Sequence, residues 1–176
     1  MINHLSENNS KWFAVYTKYK CEKRVVDTLL SKQIEAYVPL VSTTKKYLRK
    51  IKTYNKPLFN SYVFVNITKS EYVKVLQTEH VYKFLKVSSD LESIPEYEIN
   101  LLKRIVGEFD EITTGNEIVQ GSEVEVISGN LTGLKGKLIS KETKNNFLIE
   151  LDSIGFSLRV YIKPVYLRSI HTVAAH

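Results

Sequence analysis

The chain has 176 residues, 43% of them apolar, enough to bury one good core or two small ones. Its 25 Lys and Arg against 19 Asp and Glu give a net charge of +6, which directs attention to an anionic partner such as nucleic acid. The single cysteine, Cys21, excludes an internal disulfide and a cysteine-based metal cluster, as expected of a cytoplasmic protein.

The opening MINHLSENNSK is polar, and no apolar run approaches the ~20 residues needed to cross a bilayer, so neither export nor a membrane span is expected. KWFAVYT, Lys11 to Thr17, is aromatic and β-branched and predicts a strand. Lys20 to Ile34 sets Cys21, Val25, Val26, Leu29 and Leu30 on one helical stripe. Ala36 to Ser42 predicts a short strand in which Pro39 calls for an edge or a bulge, because proline has no N–H for the ladder. A basic stretch follows, KKYLRKIKTYNK at 45 to 56, with six Lys/Arg and no acid.

SYVFVNI, Ser61 to Ile67, predicts a third strand. Thr68 and Glu71 have the spacing of a capping box opening a helix to about Thr78. A strand at Val81 to Val87 and a second box, Ser93 with Glu96, lead to a helix ending near Val106. The order β-α-β-β-α-β with a trailing helix predicts an α+β, ferredoxin-like domain, an antiparallel sheet with helices on one face. Alternation then puts Phe13, Val15, Val63, Val65 and Ile67 under the helices. Trp12, Tyr16, Tyr62, Phe64 and, from the last strand, Phe84 fall on the other face. Left uncovered, these rings would form an apolar patch of the kind that marks a docking site; the alternative is that they pack beneath the linker or a second domain.

Residues 1–108 carry 18 Lys and Arg against 11 Asp and Glu, and residues 109–176 carry 7 against 8, so the basicity is N-terminal. Between them GEFDEITTGNEI, 107 to 118, is acidic and aperiodic and predicts a linker. SEVEVIS, KGKLIS, NFLIEL, SLRVYI and VYLRSI then alternate between turns, the pattern of a small five-stranded barrel. Three of the seven glycines, Gly129, Gly133 and Gly136, fall in ISGNLTGLKGKL, where each could relieve a positive φ or a close approach. As a phosphate cradle the stretch fails, since no Lys-Ser/Thr follows and a strand rather than a helix comes next. The four histidines show no metal-ligand spacing, and neither they nor Cys21 suggests an enzyme.

VQGSEVEVISGNLTGLKGKLIS resembles a KOW motif, with Val124, Val126, Gly129, Leu131, Gly133 and Gly136 in its places. KWFAVYTKYKCEKRV resembles the first strand and helix of the NusG N-terminal domain, PLFNSYVFV at 57–65 that family's PLFPGYVFV strand, and HVYKFLKV at 80–87 its later strand. The chain thus resembles a NusG-family transcription elongation factor, of the specialised RfaH-like kind. The resemblance implies a NusG-like domain at 1–106, a linker at 107–118, an SH3-like KOW β-barrel at 119–171 and a tail at 172–176. It also implies docking of the aromatic face on the clamp helices of RNA polymerase, with suppressed pausing or termination, possible operon specificity and no cofactor. Tyr16, Tyr62, Phe64 and Phe84 match its docking positions. Upstream or non-template DNA would meet Lys45, Lys46, Arg49, Lys50 and Lys52, extended by Lys18, Lys20, Lys23 and Arg24; a plainly solvated hairpin is the equal alternative. The barrel would recruit a small-subunit ribosomal protein or Rho, and the protein would be a monomer. Asn60-Ser61 departs from the family's Pro-Gly. In RfaH-like proteins the last domain can also fold as a helical hairpin; the period-two pattern, the glycines and Pro164 favour a barrel here. The competing resemblance is to an RNA-recognition motif, whose exposed strand rings stack on bases in the same element order.

Overall fold

A computed structural model of the chain describes residues 3–48, 50–86, 90–108, 112–115, 121–129, 131–141, 144–151, 156–162 and 166–170. The chain divides into two units, Met1–Leu40 with Asn55–Leu102, and Val41–Tyr54 with Lys103–His176.

The first unit is built on β1 (Lys11–Thr17), α1 (Glu22–Ser31), β2 (Glu35–Tyr37), β5 (Tyr62–Ile67), α2 (Tyr72–Leu76), β6 (Val81–Phe84) and the first half of α3 (Glu96–Glu108); between β2 and β5 in sequence come β3 (Leu40–Tyr47) and β4 (Lys50–Pro57), of which Val41–Tyr54 belongs to the second unit. Its sheet runs β2-β5-β1-β6, antiparallel throughout, which is the split-βαβ order expected from the sequence. The expected alternation holds at its centre. Phe13, Val15, Val63, Val65 and Ile67 are buried in one cluster with Val25 and Leu29 of α1 and Val75 of α2, each such side chain contributing about 1.5–3 kcal/mol relative to exposure.

Local chemistry explains the element ends. Helix α1 stops in a Schellman turn: Gln33 adopts φ 62, its N–H donates to the Leu30 carbonyl, and Ile34 N–H donates to the Leu29 carbonyl at 3.0 Å. Glycine is usual at that left-handed position, and the buried pair Leu29 and Ile34 closes the turn in its place. Pro39 separates β2, an edge strand, from β3. The first capping box forms, with Glu71 Oε2 accepting the Thr68 N–H at 2.8 Å, ahead of a 3₁₀ turn at Lys69–Glu71 that runs into α2. The second does not. Ile94 N–H donates to the Trp12 carbonyl and the two residues bridge, so α3 starts only at Glu96, while Ser93 N–H donates to His4 Nδ1 at 3.1 Å.

In the second unit β8 (Ser122–Val126), β9 (Lys135–Lys141), β10 (Lys144–Leu151), β11 (Phe156–Tyr161) and β12 (Leu167–Ser169) match the five expected strands. A sixth, β7 (Ile112–Gly115), lies inside the stretch expected as linker and pairs with β11, so the sheet runs β12-β8-β9-β10-β11-β7. Ile112, Thr113 and Thr114 have the β-branched character that favours a strand. Val124, Val126, Leu131, Ile139, Leu158 and Ile162 are buried. Gly129 (φ 86) and Gly133 (φ 85) carry the left-handed turns between β8 and β9, and Gly133 N–H returns to the Val126 carbonyl at 2.7 Å. Gly136 sits opposite Val124 in the ladder. Gly155 and Pro164 lie outside the described residues.

Gly121, which no motif singles out, is constrained by space. A Cβ there would overlap the backbone carbonyl oxygen of Leu138. Gly121→Ala is therefore expected to destabilise this sheet by on the order of 2 kcal/mol, seen as faster amide exchange across β8 and β9 with the first unit unchanged.

Candidate functional site

The expected aromatic face resolves into two parts with different fates. Tyr16 and Tyr62 stand opposite each other in the β1–β5 register and meet edge to face at 5.5 Å. Tyr82 completes a surface trio, its ring 6.2 Å from Tyr16 and 60% exposed, while Tyr16 is 37% exposed. These rings, with Tyr72, Leu76 and Phe84, line a groove of about 750 Å³ to which Lys83 and Lys86 also contribute.

Trp12, Phe64 and Phe84 do not lie on an open face. Phe84 stands opposite Val15, on the core side of the sheet, and packs edge-on against Phe13 at 6.2 Å and face to face with Tyr72 at 4.5 Å. The ladder between β1 and β6 shifts register between Tyr16 and Thr17, and such a shift breaks the parity on which the open-face reading of Phe84 depended. Trp12 and Phe64 are buried: the Trp12 backbone bridges to Ile94, and Phe64 meets Phe59, in the approach to β5, edge to face at 6.2 Å and Tyr37 of β2 at 6.4 Å. With Phe64 enclosed, the strand does not offer the stacked ring pair of an RNA-recognition motif.

The substitution of Asn60-Ser61 for Pro-Gly has a specific accommodation. Ser61 takes the left-handed conformation (φ 66) that glycine would adopt freely, and it is buried. Its N–H donates to Glu22 Oε1 at 2.6 Å, and its carbonyl accepts the Thr17 N–H at 2.8 Å. Glu22, itself buried in the first turn of α1, thus fixes the chain one residue before Tyr62 and beside the end of β1 that carries Tyr16. Sequence reading missed Glu22, Tyr72 and Tyr82. A carboxylate at the start of an otherwise basic helix segment was the available signal for the first.

Burial pushes the Tyr62 phenol above its ordinary value, and the neighbouring Tyr16 adds to the effect. Tyr37, 6.4 Å from Phe64, is pushed up to about 12 by burial. Because the unfolded chain would lose the Tyr37 proton near the usual value of about 10, its contribution is intact below pH 10 and lost as pH rises towards 12. Urea midpoints should accordingly fall between pH 9 and pH 11, and less in Tyr37→Phe.

The second group of candidates is basic. Lys45, Lys46, Lys50 and Lys52 are exposed on the β3–β4 hairpin, and Arg49 lies outside the described residues. Lys18, Lys20, Lys23 and Arg24 are exposed before and within α1. Some of these already have partners: Lys23 Nζ donates to the Asn55 carbonyl at 2.6 Å, Arg24 lies 3.6 Å from Glu79, and Lys20 sits over the Tyr19 ring. Among the described residues no group of three His, Cys, Asp or Glu could hold a metal ion, and no helix is long and apolar enough to cross a membrane.

The family described as transcription termination factor nusG matches residues 10–103. Among solved structures the chain is similar to that of the domain interaction in Thermotoga maritima NusG, at 17% identity and a TM-score of 0.58, over 92% of this chain and 98% of that one. It is also matched to the MjSpt4:Spt5 complex in conformation B, at 18% identity and a TM-score of 0.33, over 92% and 97%. No curated protein sequence is similar enough to count as a match. The fold is that of the NusG structure, and the family match spans more than half of the 176 residues: the chain belongs to the NusG family of transcription factors.

Proposed function

We propose that this chain is a cytoplasmic elongation factor that docks on the clamp helices of RNA polymerase through the groove lined by Tyr16, Tyr62 and Tyr82, and there suppresses pausing or termination. The observation that carries the reading is the tyrosine trio beside a groove, with Tyr16 and Tyr82 exposed and Tyr62 half-buried, on a domain of this family. Aromatic rings that are partly exposed yet pre-packed against one another lose little freedom on binding, which is why they recur as interface anchors. In this reading Phe84 forms part of the groove wall, while Trp12 and Phe64, buried in the domain, lie outside the docking surface. In this reading residues 1–106 dock, 119–171 form a KOW barrel that recruits a small-subunit ribosomal protein or Rho, and the RfaH-like character is operon-specific action by a monomer. Single-round transcription with purified core polymerase tests it: pause lifetimes should shorten with the protein present, and unchanged lifetimes would refute it.

Lys45, Lys46, Lys50 and Lys52, with Arg49, are assigned to the phosphates of upstream or non-template DNA. Charge reversal at Lys45, Lys46 and Lys50 should weaken binding to the elongation complex mainly at low salt. The slope of log affinity against log salt should fall by about 0.9 per lost duplex contact, or about 0.7 on a single strand. An unaltered slope would leave the hairpin merely solvated.

A further inference from the structure

Among the described residues β3 and β4 pair only with each other, as a two-stranded ribbon. Two side-chain contacts settle which residues share each face. The Thr44 and Thr53 hydroxyls lie 3.1 Å apart, so strand alternation puts Thr44 and Lys46 on one face with Ile51 and Thr53. The opposite face holds Lys45 with Lys50, Lys52, Tyr54 and Lys56. Lys45 Nζ, 5.8 Å from the centre of the Tyr54 ring, supports that assignment independently. All four of these lysines are exposed, and the sequence has no Asp or Glu from Ala36 to Ser70. Like charges gathered on paired strands destabilise the free ribbon, and the ribbon supplies no carboxylate to offset them. A polyanion with regularly spaced charges is the complement of such a face.

The turn is different in kind. Leu48 is exposed to 107% of its reference area, and Ile51, three residues on, to 65%. Single exposed apolar side chains are commonplace. Two of them within four residues, at the end of a ribbon whose one face is lysine-rich, contribute nothing to any core.

The geometry points to a wedge for duplex DNA: the lysine face follows the phosphates that border a minor groove, and Leu48, at the turn of the ribbon, enters between two base pairs, unstacking the step and bending the duplex. The inference rests on the assignment of this hairpin to DNA and adds to it a contact with the bases. Apolar side chains placed at a minor groove act in this way, the unstacking cost of a few kcal/mol being offset by the contacts that the bend permits. Pyrimidine–purine steps, which unstack most easily, are the sites the wedge should select.

The test uses the full-length protein and a 30-base-pair DNA duplex with 2-aminopurine beside a central TA step and fluorophores at its ends. The protein should raise the 2-aminopurine fluorescence and shorten the end-to-end distance. Leu48→Ala should abolish both signals and weaken binding about tenfold, with the salt slope unchanged, and Leu48→Phe should restore them. Charge reversal of Lys45, Lys50 and Lys52 should reduce the slope instead. An RNA duplex of the same sequence, whose grooves have the A form, should show no unstacking. Lysine-dependent binding without unstacking, and unaffected by Leu48→Ala, would overturn the wedge and leave the phosphate contacts standing. Binding that does not depend on the lysines would overturn both. Equal unstacking of the RNA duplex, or a Leu48→Ala defect seen only with polymerase, would overturn the assignment to DNA.

Discussion

Tyr16→Ala combined with Tyr62→Ala is expected to weaken binding to core RNA polymerase by at least ~30-fold, while the variant still unfolds at close to the wild-type denaturant concentration. The two rings face each other across β1 and β5 and are packed edge to face, so each holds the other in a fixed orientation before any partner arrives. Truncating an aromatic anchor at the centre of an interface typically costs about 2 kcal/mol or more, and 1.4 kcal/mol is tenfold in affinity. The fold should tolerate the change because neither ring belongs to the buried cluster formed by Phe13, Val15, Val63 and Val65. Phe84→Ala is the instructive contrast. Phe84 is part of that cluster and stacks on Tyr72, so its loss should lower stability by about 3–5 kcal/mol. Wild-type affinity in the folded double variant would remove the groove from the docking surface.

Glu22→Ala is expected to destabilise the first unit by about 2–3 kcal/mol, and to do so without touching any partner surface. The Ser61 N–H is buried, and Glu22 Oε1 is the acceptor it meets at 2.6 Å. Hydrogen bonds to charged groups contribute about 1.5–3 kcal/mol, and removing the acceptor leaves a buried donor unsatisfied. The loss adds to the cost of holding Ser61 at φ 66. Glu22→Gln keeps an acceptor oxygen and should recover about half of the loss. Ser61→Gly removes the backbone strain and should partly rescue Glu22→Ala, an interaction that a double-mutant cycle isolates. Trp12, buried in this unit and the only tryptophan, reports the unfolding by its fluorescence. Equal midpoints for wild type and Glu22→Ala would show that the amide is satisfied otherwise.

These residues also mark where the sequence is legible. Period-two runs such as SYVFVNI and SEVEVIS, and the Thr68–Glu71 spacing, are local patterns, and the structure places strands and a capped helical turn where they stand. Tyr16 and Tyr62 follow from the same alternation within two well-defined central strands. What the sequence hides is non-local. Parity along β6 cannot be counted through a register shift whose position depends on the neighbouring strand, so simple alternation puts Phe84 on the wrong side and does not single out Tyr82. Trp12 and Phe64 have neighbours in Ile94 and Phe59, residues in connecting segments that carry no periodic signal. Ile112–Gly115 is a strand because β11 has an edge to offer, and that edge exists only once the sheet is assembled. The pairing of Glu22 with Ser61 links positions 39 residues apart and compensates a missing glycine; neither residue announces it alone.

The central claim is that the tyrosine groove is the face that meets polymerase. Amide hydrogen exchange of the full-length protein, free and bound to core RNA polymerase, tests it most directly. The account predicts that binding slows exchange at Tyr16 and Thr17, at Tyr62 and Val63, and from Tyr82 to Lys86, the backbone that carries the groove. Protection confined to other segments, with exchange at these residues as fast in the complex as in the free protein, would contradict it.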